Sequence, residues 1–521
     1  MADEHGRPNI VFVMSDDHAA HAIGAYGSTL ARTPSIDRLA QEGMRFDSVF
    51  CTNSLCTPSR AVILTGQHSH VNGVKTLDDV FDNTRTTFPM LLRDAGYQTA
   101  MVGKWHLGHG PAHDPRGFDY WEVLPGQGHY WNPDFISADG AHTRPGYVTD
   151  LITDLSLDWL RRRDPAKPFL LMCHHKAVHS PWEPDQAHEE MFTDLELPNP
   201  ATLWDDYASR PAAESAVRMR VESMPPQYVK QLPPAGLSEA EEFAWWISRV
   251  DSPSPTDRRW KYQAFIRDYL RCAASIDDNL GRMLGYLDEE GLADNTVVIY
   301  TSDQGFFLGD HGWYDKRFMY EESLRVPFLV RWPARIRPGT VMNALVSNAD
   351  IAPTLLELAG ISPPDWMQGA SLAGLMFGAV PQDWQEAVYY RYWMHPNEHD
   401  VAPHYGVRTA THKLVRYDVT AFRGGAPNRP DAEWELFDLR SDPHELTNVH
   451  EDPRYAQVRA DLHQQLESLR QRLGDTEGYP QAPQPPASDH RNDPVWRSDQ
   501  ADARQGLRRA RDRFLRGGEP S

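Results

Sequence analysis

Residues 9–18 are NIVFVMSDDH, an apolar run that ends at once in two acids and a histidine. A short apolar run without alternation is typical of a strand buried on both faces, as in a parallel sheet covered by helices. Ligands of open α/β sheets bind beyond the carboxyl ends of such strands. The stretch therefore predicts an α/β fold with a polar site directly after a strand at 9–14.

Three more predicted strands, at 99–102, 169–173 and 296–300, also run into polar residues. They are followed by GKWH at 103–106, HHKAVH at 174–179 and TSDQG at 301–305. Four strands thus deliver acids, lysines and histidines to one edge of a sheet, which randomly scattered surface charge would not do. Helices are predicted at 34–42, 89–95, 262–290 and 350–358, and a further strand at 326–331.

Size and charge limit the class of protein. The 521 residues exceed the ~250–300 at which one core stops growing, which predicts a large domain with a smaller unit. A hydrophobic content of 40% is that of a globular protein, and no apolar run approaches the ~18 residues of a membrane span, so no membrane partner is expected. A formal charge of -21 disfavours nucleic acid as a partner. The N-terminus lacks a signal-peptide pattern and four cysteines are too few for a disulfide scaffold, which predicts a cytoplasmic location.

The composition divides the chain into three predicted parts. Residues 1–380 form the α/β domain, with a proline-rich and acidic insertion at 183–257 that either shapes a substrate entrance or is loop padding. Residues 381–474 form an α+β unit, with strands at 387–393, 413–417 and 434–439 and a helix at 452–470. Residues 475–521 form a Pro- and Arg-rich tail, which is either partly disordered or embraces a neighbouring subunit in a homo-oligomer.

Carboxylates at the strand ends predict a metal site. Asp16, Asp17 and Asp303 would repel one another without a cation, and Gln304 adds a neutral carbonyl oxygen. Hard oxygen ligands of this kind suit Ca²⁺, or Mg²⁺, rather than a soft metal.

A second group of side chains is cationic. It comprises Arg60, Lys104, Lys176, Lys316, His106 and His179. Several cationic donors beside a metal match the charge of a tetrahedral oxyanion and leave its central atom open to a nucleophile. His174 and His175 are interpreted as structural residues or as supports of a ligand.

The segment CTPSRAVILTG at 56–66 predicts the nucleophile. Pro58 suits the first turn of a helix, so Cys56 would lie at the positive helix N-terminus, with Arg60 one turn further on. Such a position lowers a thiol pKa, which makes a thiolate nucleophile conceivable. A soft thiolate beside a hard cation and three acids is a poor match, and the residues alone leave that mismatch open.

The same segment resembles the sulfatase signature Cys-x-Pro-x-Arg followed by Thr-Gly, and GKWHLG at 103–108 resembles the second signature of that family. The resemblance extends from Pro8 to Asn448. It implies the alkaline-phosphatase-like fold, which is a central mixed sheet flanked by helices with a smaller α+β C-terminal subdomain. It also implies an activity, namely hydrolysis of sulfate monoesters to an alcohol and inorganic sulfate.

The resemblance further implies that a formylglycine-generating enzyme oxidises Cys56 to formylglycine. One hydroxyl of its hydrate then attacks sulfur and the other later expels sulfate. The implied Ca²⁺ ligands are Asp16, Asp17, Asp303, Gln304 and the modified Cys56. The implied catalytic residues begin with Arg60, which holds the hydrate, and with Lys104 and Lys316, which contact sulfate. His106 would orient or deprotonate the hydrate. Either His179 or Lys316 would protonate the leaving alcohol.

The chain departs from the family at Gln304, where many members have Asn or His, and at Val178, where Pro is usual. The stretch HKAVHSPW at 175–182 is most similar to carbohydrate sulfatases of the glucosamine-6-sulfatase type, so a saccharide or small-molecule sulfate ester is the expected substrate. The glycine-flanked aromatic loop at 126–133 either stacks on that substrate or is structural. Two alternatives stay open: a phosphonate monoester hydrolase or phosphodiesterase of the same superfamily, and a non-catalytic anion-binding protein whose Cys56 is never oxidised.

Overall fold

The structure is a computed structural model. It describes residues 6–231, 236–238, 254–395, 399–418, 432–476 and the single residues 241, 244, 245, 248 and 478. The described strands are β1 (Asn9–Ser15), β2 (Met44–Phe46), β3 (Val49–Phe50), β4 (Gln98–Lys104), β5 (Tyr120–Leu124), β6 (Asp134–Ser137), β7 (Gly140–Thr143), β8 (Phe169–His174), β9 (Thr296–Ser302), β10 (Phe307–Leu308), β11 (Tyr314–Asp315), β12 (Phe328–Arg331), β13 (Thr340–Met342), β14 (Val346–Ser347), β15 (Ala387–Tyr392), β16 (His404–Thr409), β17 (His412–Asp418) and β18 (Ala432–Asp438). Ten of these strands form one mixed sheet in the order β13-β2-β12-β9-β1-β8-β4-β5-β6-β7. This arrangement confirms the predicted α/β class.

The four strands predicted to carry the site are neighbours at the centre of that sheet. β9, β1, β8 and β4 run parallel, so their carboxyl ends face the same way. Their register aligns the ends as well, because Ser15 pairs with Ser302, and His174 pairs with both Met14 and Gly103. The prediction that the four strand ends meet at one edge is therefore confirmed.

Helices cover both faces of the sheet. They are α1 (Pro34–Glu42), α2 (Cys56–Thr65), α3 (Ser69–Asn72), α4 (Phe88–Asp94), α5 (Val148–Arg162), α6 (Pro211–Ser215), α7 (Asp257–Glu289), α8 (Glu321–Leu324), α9 (Ile351–Leu358), α10 (Ala373–Met376) and α11 (Ala456–Leu473). Successive side chains of β1 point to opposite faces. Ile10 and Phe12 join the core formed with α2, α4 and α9, whereas Val11 and Val13 join the core formed with α1, α5 and α7.

The C-terminal unit is a four-stranded antiparallel sheet in the order β15-β16-β17-β18, with α11 packed on it through a separate small core that includes Leu462, Leu466 and Leu469. This matches the predicted α+β subdomain. Asp475, the first residue of the predicted tail, is buried and pairs with Arg391 and Tyr389 of β15. The described chain is thus tied to the subdomain as far as that residue.

Element boundaries differ from the predictions mainly where polar residues lie at the end of an element. β9 continues past Tyr300 to Ser302 because its polar end pairs with β1. The helix predicted from residue 350 begins at Ile351, since Asp350 instead completes a capping box with Ser347 around a 3₁₀ turn. Similarly, Asp452 caps a 3₁₀ turn and α11 begins at Ala456.

Parts of two predicted segments fall outside the described residues. These are most of 232–253 in the insertion, and 477 and 479–521 in the tail, where the homo-oligomer contact was predicted. Within the described ranges, no helix combines the length and apolarity needed to cross a bilayer.

Candidate active site

Three buried carboxylates converge where β1 and β9 end. Oxygens of Asp16, Asp17 and Asp303 lie within 4.8 Å of one another, and all three residues are buried. Burial and the charge of Asp16 raise the pKa of Asp303 to about 7, and burial raises the pKa of Asp17 to about 6 despite Lys316. Burial would also raise the pKa of Asp16, but neighbouring cations, led by Lys104, lower it well below its usual range. The raised pKa values of Asp17 and Asp303 show that burial disfavours their ionised forms, and a bound cation would relieve this.

Gln304 completes the predicted ligand set. Its Nε2 donates to Asp17 Oδ1 at 2.6 Å and lies 3.4 Å from Cys56 Sγ. Its Oε1 is buried without a hydrogen-bond partner. Rotation of the amide by half a turn exchanges the two atoms and directs the carbonyl oxygen at the acids. The orphaned oxygen and the three carboxylates fit a hard divalent cation.

Close backbone approach fixes the position of these residues. Gly305, next to Gln304, lies so near α8 that a Cβ there would be 2.1 Å from the carbonyl oxygen of Glu322. Gly103, just before Lys104, has a φ of 98°, and a Cβ there would be 2.0 Å from the carbonyl oxygen of His174. Only glycine fits at both positions.

Arg60 and Lys104 bind the acids directly. Arg60 donates through Nε to Asp303 Oδ2 at 3.0 Å and through Nη1 to the Lys104 carbonyl at 2.8 Å. Lys104 donates its ammonium to Asp16 Oδ2 and to Gln127 Oε1. Both side chains are buried, so these contacts are shielded from solvent. The structure thus brings Arg60 and Lys104 to the acid cluster.

Lys316 and His179 lie on the other side. Lys316 Nζ is 2.7 Å from Asp17 Oδ2, which raises the pKa of the lysine well above its usual value although burial opposes this. His179 Nε2 is 3.8 Å from the same oxygen, and its Nδ1 is 2.7 Å from the Ser180 carbonyl. Burial, followed by Lys316, lowers the pKa of His179 well below its usual value.

His106 and Lys176 contact residues outside the acid cluster. His106 Nδ1 is 3.4 Å from Thr57 Oγ1, and burial, followed by Lys104, lowers the pKa of the histidine well below its usual value. Lys176 Nζ lies 4.9 Å over the Tyr130 ring. His174 reaches Arg60 Nη1 at 3.4 Å, which places it beside the site as a support.

Cys56 begins α2 as predicted, and its Sγ is 3.4 Å from Asp16 Oδ1. The expectation that this position lowers the thiol pKa is wrong. Burial and the charge of Asp16 raise the pKa of Cys56 to about 12. The thiol therefore stays protonated at neutral pH and is a poor nucleophile as it stands.

The sequence reasoning missed Gln127, whose amide reaches Lys104 from a loop between two left-handed glycines. It also missed Ser59, whose hydroxyl donates to the Asp303 carbonyl and accepts from Asn348 Nδ2 at 2.9 Å. The glycines that flank Gln127 were the available signal for the first residue. Nothing in the spacing marks Asn348, because it comes from a different part of the chain.

The Sulfatase family model matches residues 8–361, which is more than half of the sequence and contains every residue of this site. The chain belongs to the sulfatase family. It is therefore a hydrolase of sulfate esters. A second family model, N-sulphoglucosamine sulphohydrolase, C-terminal, matches residues 309–472 of the sulfatase.

Similar proteins agree with this assignment. The sulfatase is 40% identical over 511 residues to the N-acetylglucosamine-6-O-sulfatase of Bacteroides thetaiotaomicron, covering 91% of this chain and 88% of the relative. It is also similar, with a TM-score of 0.83 and 40% identity, to a structure solved in complex with its substrate D-glucosamine-2-N,6-O-disulfate, covering 92% of this chain and 100% of that one. The phosphonate monoester hydrolase of Agrobacterium radiobacter has a TM-score of 0.67 at 22% identity over 90% of this chain and 96% of its own, which shows a shared fold alone. The alkaline-phosphatase-like fold implied by the sequence is thereby confirmed.

Proposed function

We propose that this sulfatase removes 6-O-sulfate groups from glucosamine-type saccharides, using Ca²⁺ and a formylglycine at position 56. The observation that carries the saccharide assignment is the 40% identity, over 91% of this chain, to a protein named N-acetylglucosamine-6-O-sulfatase. The solved structure with a disulfated glucosamine supports the same substrate class.

The state of Cys56 supports the need for its conversion. A thiol with a pKa of about 12, placed 3.4 Å from a carboxylate, offers no nucleophile at neutral pH. Oxidation by a formylglycine-generating enzyme replaces the thiol with an aldehyde, whose hydrate offers hard oxygen in the same place. The hydrate matches the surrounding acids and cations where sulfur does not.

Ca²⁺ is the metal that the donor set favours. Asp16, Asp17, Asp303 and the orphaned Oε1 of Gln304 would hold it, together with residue 56. When bound, the ion supplies positive charge that stabilises negative charge developing on oxygen. Its charge would also offset the repulsion among the three carboxylates, so that all three remain ionised near neutral pH.

Four basic groups surround the place where a sulfate ester must lie. Lys104 pairs with Asp16 and Lys316 pairs with Asp17, and each lysine would contact a sulfate oxygen. Arg60 pairs with Asp303 and with the Lys104 carbonyl, so it balances the charge of the acids. It lies one turn after residue 56 on α2, from where it would hold the hydrate. His106 has a lowered pKa and is therefore neutral, which is the form that would accept a proton from the hydrate.

The sugar would lie against the residues that flank Lys316. Asp315 and Arg317 both have left-handed backbones and lie 3.3 Å apart through Oδ1 and Nε. His399 Nε2 lies 3.2 Å from Asp315 Oδ2. A carboxylate, a guanidinium and an imidazole adjacent to a sulfate-binding lysine are suitable partners for the hydroxyls of a pyranose.

The proposal includes the cellular location of this sulfatase. A reducing, cytoplasmic location is supported by Cys51, Cys56, Cys173 and Cys272, which are all buried and unpaired in the described chain. Fractionation of source cells, with this sulfatase detected in the soluble cytoplasmic fraction, is the expected result.

The function is tested with a substrate panel on protein whose residue 56 is shown by mass spectrometry to be formylglycine. The panel contains N-acetylglucosamine-6-sulfate, a 2-N-sulfated and a 3-O-sulfated glucosamine, 4-nitrophenyl sulfate and an aryl phosphonate monoester. The 6-O-sulfate is expected to have the highest kcat/KM, measured as inorganic sulfate released. A higher kcat/KM on the phosphonate monoester would favour the phosphonate hydrolase alternative, and a preference for another sulfate position would overturn the substrate assignment.

A further inference from the structure

The turn at residues 16–19, which follows β1, is held by side chains from other elements. The Asp17 amide donates to Asp303 Oδ1 at 3.2 Å and the His18 amide donates to Ser302 Oγ at 2.8 Å. The Ala19 amide donates to Tyr269 Oη at 2.8 Å. Each of these three buried donors thus depends on one side chain for its partner, which makes the shape of the turn sensitive to single substitutions.

Asp17 has an unfavourable backbone within this turn. Its φ is 62°, in the left-handed region that residues with a Cβ rarely adopt. Such a conformation persists only where the surroundings impose it. The same residue presents its carboxylate to Gln304 Nε2 at 2.6 Å and to Lys316 Nζ at 2.7 Å. The direction of that carboxylate therefore depends on how well the left-handed backbone is held.

Tyr269 holds the left-handed turn through two hydrogen bonds of its hydroxyl. The tyrosine hydroxyl accepts from the Ala19 amide and donates to the Asp17 carbonyl, each at 2.8 Å. It is fully buried, and burial raises its pKa well above the ordinary value, so the hydroxyl keeps the proton that it donates. Its ring stacks on Phe306 at 5.8 Å and meets Trp182 edge-on at 6.3 Å, so the hydroxyl has little freedom to move.

We propose that Tyr269, on the long helix α7, is a positioning residue for the metal site: by bridging Asp17 and Ala19 it fixes the Asp17 carboxylate and thereby sets the affinity for Ca²⁺. The inference rests on the proposed Ca²⁺ site. Without the hydroxyl, two buried backbone groups lose their partners and the left-handed turn loses the contact that spans it. Asp17 then relaxes toward a commoner backbone conformation, and its oxygens leave the position that they share with Asp16 and Asp303.

The test uses Tyr269→Phe, which removes only the hydroxyl and keeps the ring stacking. The chain offers a matched control in Tyr262→Phe. Tyr262 lies two turns away on the same helix, is also buried, and donates its hydroxyl to a backbone carbonyl, that of Pro198, at 2.8 Å. Tyr262→Phe loses one buried tyrosine hydrogen bond, to a carbonyl outside the turn, whereas Tyr269→Phe loses two, both at the turn after β1.

Full-length wild type and both variants, matched for the state of residue 56, are titrated with Ca²⁺ by isothermal calorimetry after removal of metal. Tyr269→Phe is expected to bind Ca²⁺ about tenfold more weakly than wild type, because part of the free energy of its two lost buried hydrogen bonds is then spent on reordering Asp17. Tyr262→Phe is expected to keep the wild-type Kd. In EDTA both variants are expected to melt at lower temperatures than wild type, Tyr269→Phe by the larger amount because it loses two hydrogen bonds. In saturating Ca²⁺, Tyr269→Phe is expected to recover its sulfate release.

Equal Ca²⁺ affinities of the two variants would overturn the inference, because Tyr269 would then be an ordinary core tyrosine, while the proposed function would stand. Absence of saturable Ca²⁺ binding by the wild type would overturn the metal site and the inference together. The two failures are therefore distinguishable.

Discussion

His179→Ala should separate substrates by how much their leaving group needs a proton. The Nδ1 of His179 is 2.7 Å from the Ser180 carbonyl, so Nδ1 carries the proton of the neutral ring and Nε2 faces the site. That Nε2 is 3.8 Å from Asp17 Oδ2, close to the expected position of the ester. Tyr130 donates to the His179 carbonyl at 2.8 Å and keeps this segment in place.

The charge around His179 determines when it can donate a proton. Burial and the cations Lys316 and Lys104 lower its pKa, so the ring is neutral before substrate binds. A bound sulfate ester brings negative charge between those cations and raises the pKa again. General acids of this kind accelerate reactions by about 10²–10⁴, which corresponds to about 3–5 kcal/mol of activation free energy. A sugar alkoxide needs that proton to leave, whereas 4-nitrophenolate is stable without it.

The assay compares kcat for N-acetylglucosamine-6-sulfate and 4-nitrophenyl sulfate. We expect His179→Ala to lose about 10²–10⁴ in kcat on the sugar sulfate and less than about tenfold on the aryl sulfate. The control is His188→Ala, since His188 pairs with Asp185 at 2.7 Å and with Asp278 at 3.4 Å, neither of which is a site residue. Equal losses on the two substrates would refute proton donation by His179.

Three further perturbations follow from the same contacts. Ca²⁺ affinity should fall as pH drops through about 7, because protons then compete with the ion for Asp303. The metal-free protein should instead lose stability as pH rises through about 7, since the pKa of Asp303 is higher in the folded than in the unfolded state. A Kd and a melting temperature that do not change with pH, both measured by calorimetry, would contradict this. Lys316→Met breaks a buried ion pair with Asp17 and should lower the free energy of unfolding of the metal-free protein by about 3–5 kcal/mol. The melting temperature in EDTA should therefore fall and Ca²⁺ should largely restore it, whereas an unchanged melting temperature would contradict a stabilising role of the pair. Arg317→Lys removes the planar guanidinium beside Asp315 and should raise the KM for the sugar sulfate severalfold without changing the KM for 4-nitrophenyl sulfate. Equal changes in the two KM values would show that the sugar does not bind at Arg317.

The centre of the fold was predictable because its signals are local. Each of the four central strands is an uninterrupted apolar run, and the polar residues after it, such as Asp16 and Lys104, follow directly in sequence. The parallel arrangement then brings the ends together without further information. Pro34 and Gly43 bounded α1 correctly for the same reason.

Residues that reach the site from elsewhere were not predictable in this way. Gln127 arrives on a loop, and Tyr269 lies on the buried stripe of α7, where spacing assigns it to the core like its neighbours. The pKa of Cys56 was predicted with the wrong sign, because a helix N-terminus is visible in sequence but complete burial beside Asp16 is not. Burial and long-range partners, rather than element type, account for these differences.

The central claim is that residue 56 acts as formylglycine in sulfate ester hydrolysis. Preparations with different extents of conversion, obtained by varying co-expression of a formylglycine-generating enzyme, are assayed for sulfate release from N-acetylglucosamine-6-sulfate. Mass spectrometry of the tryptic peptide 46–60, which contains Cys56, gives the converted fraction in each preparation. We predict turnover proportional to that fraction and absent from Cys56→Ala. Turnover that is independent of the converted fraction, or that persists in Cys56→Ala, would contradict the account.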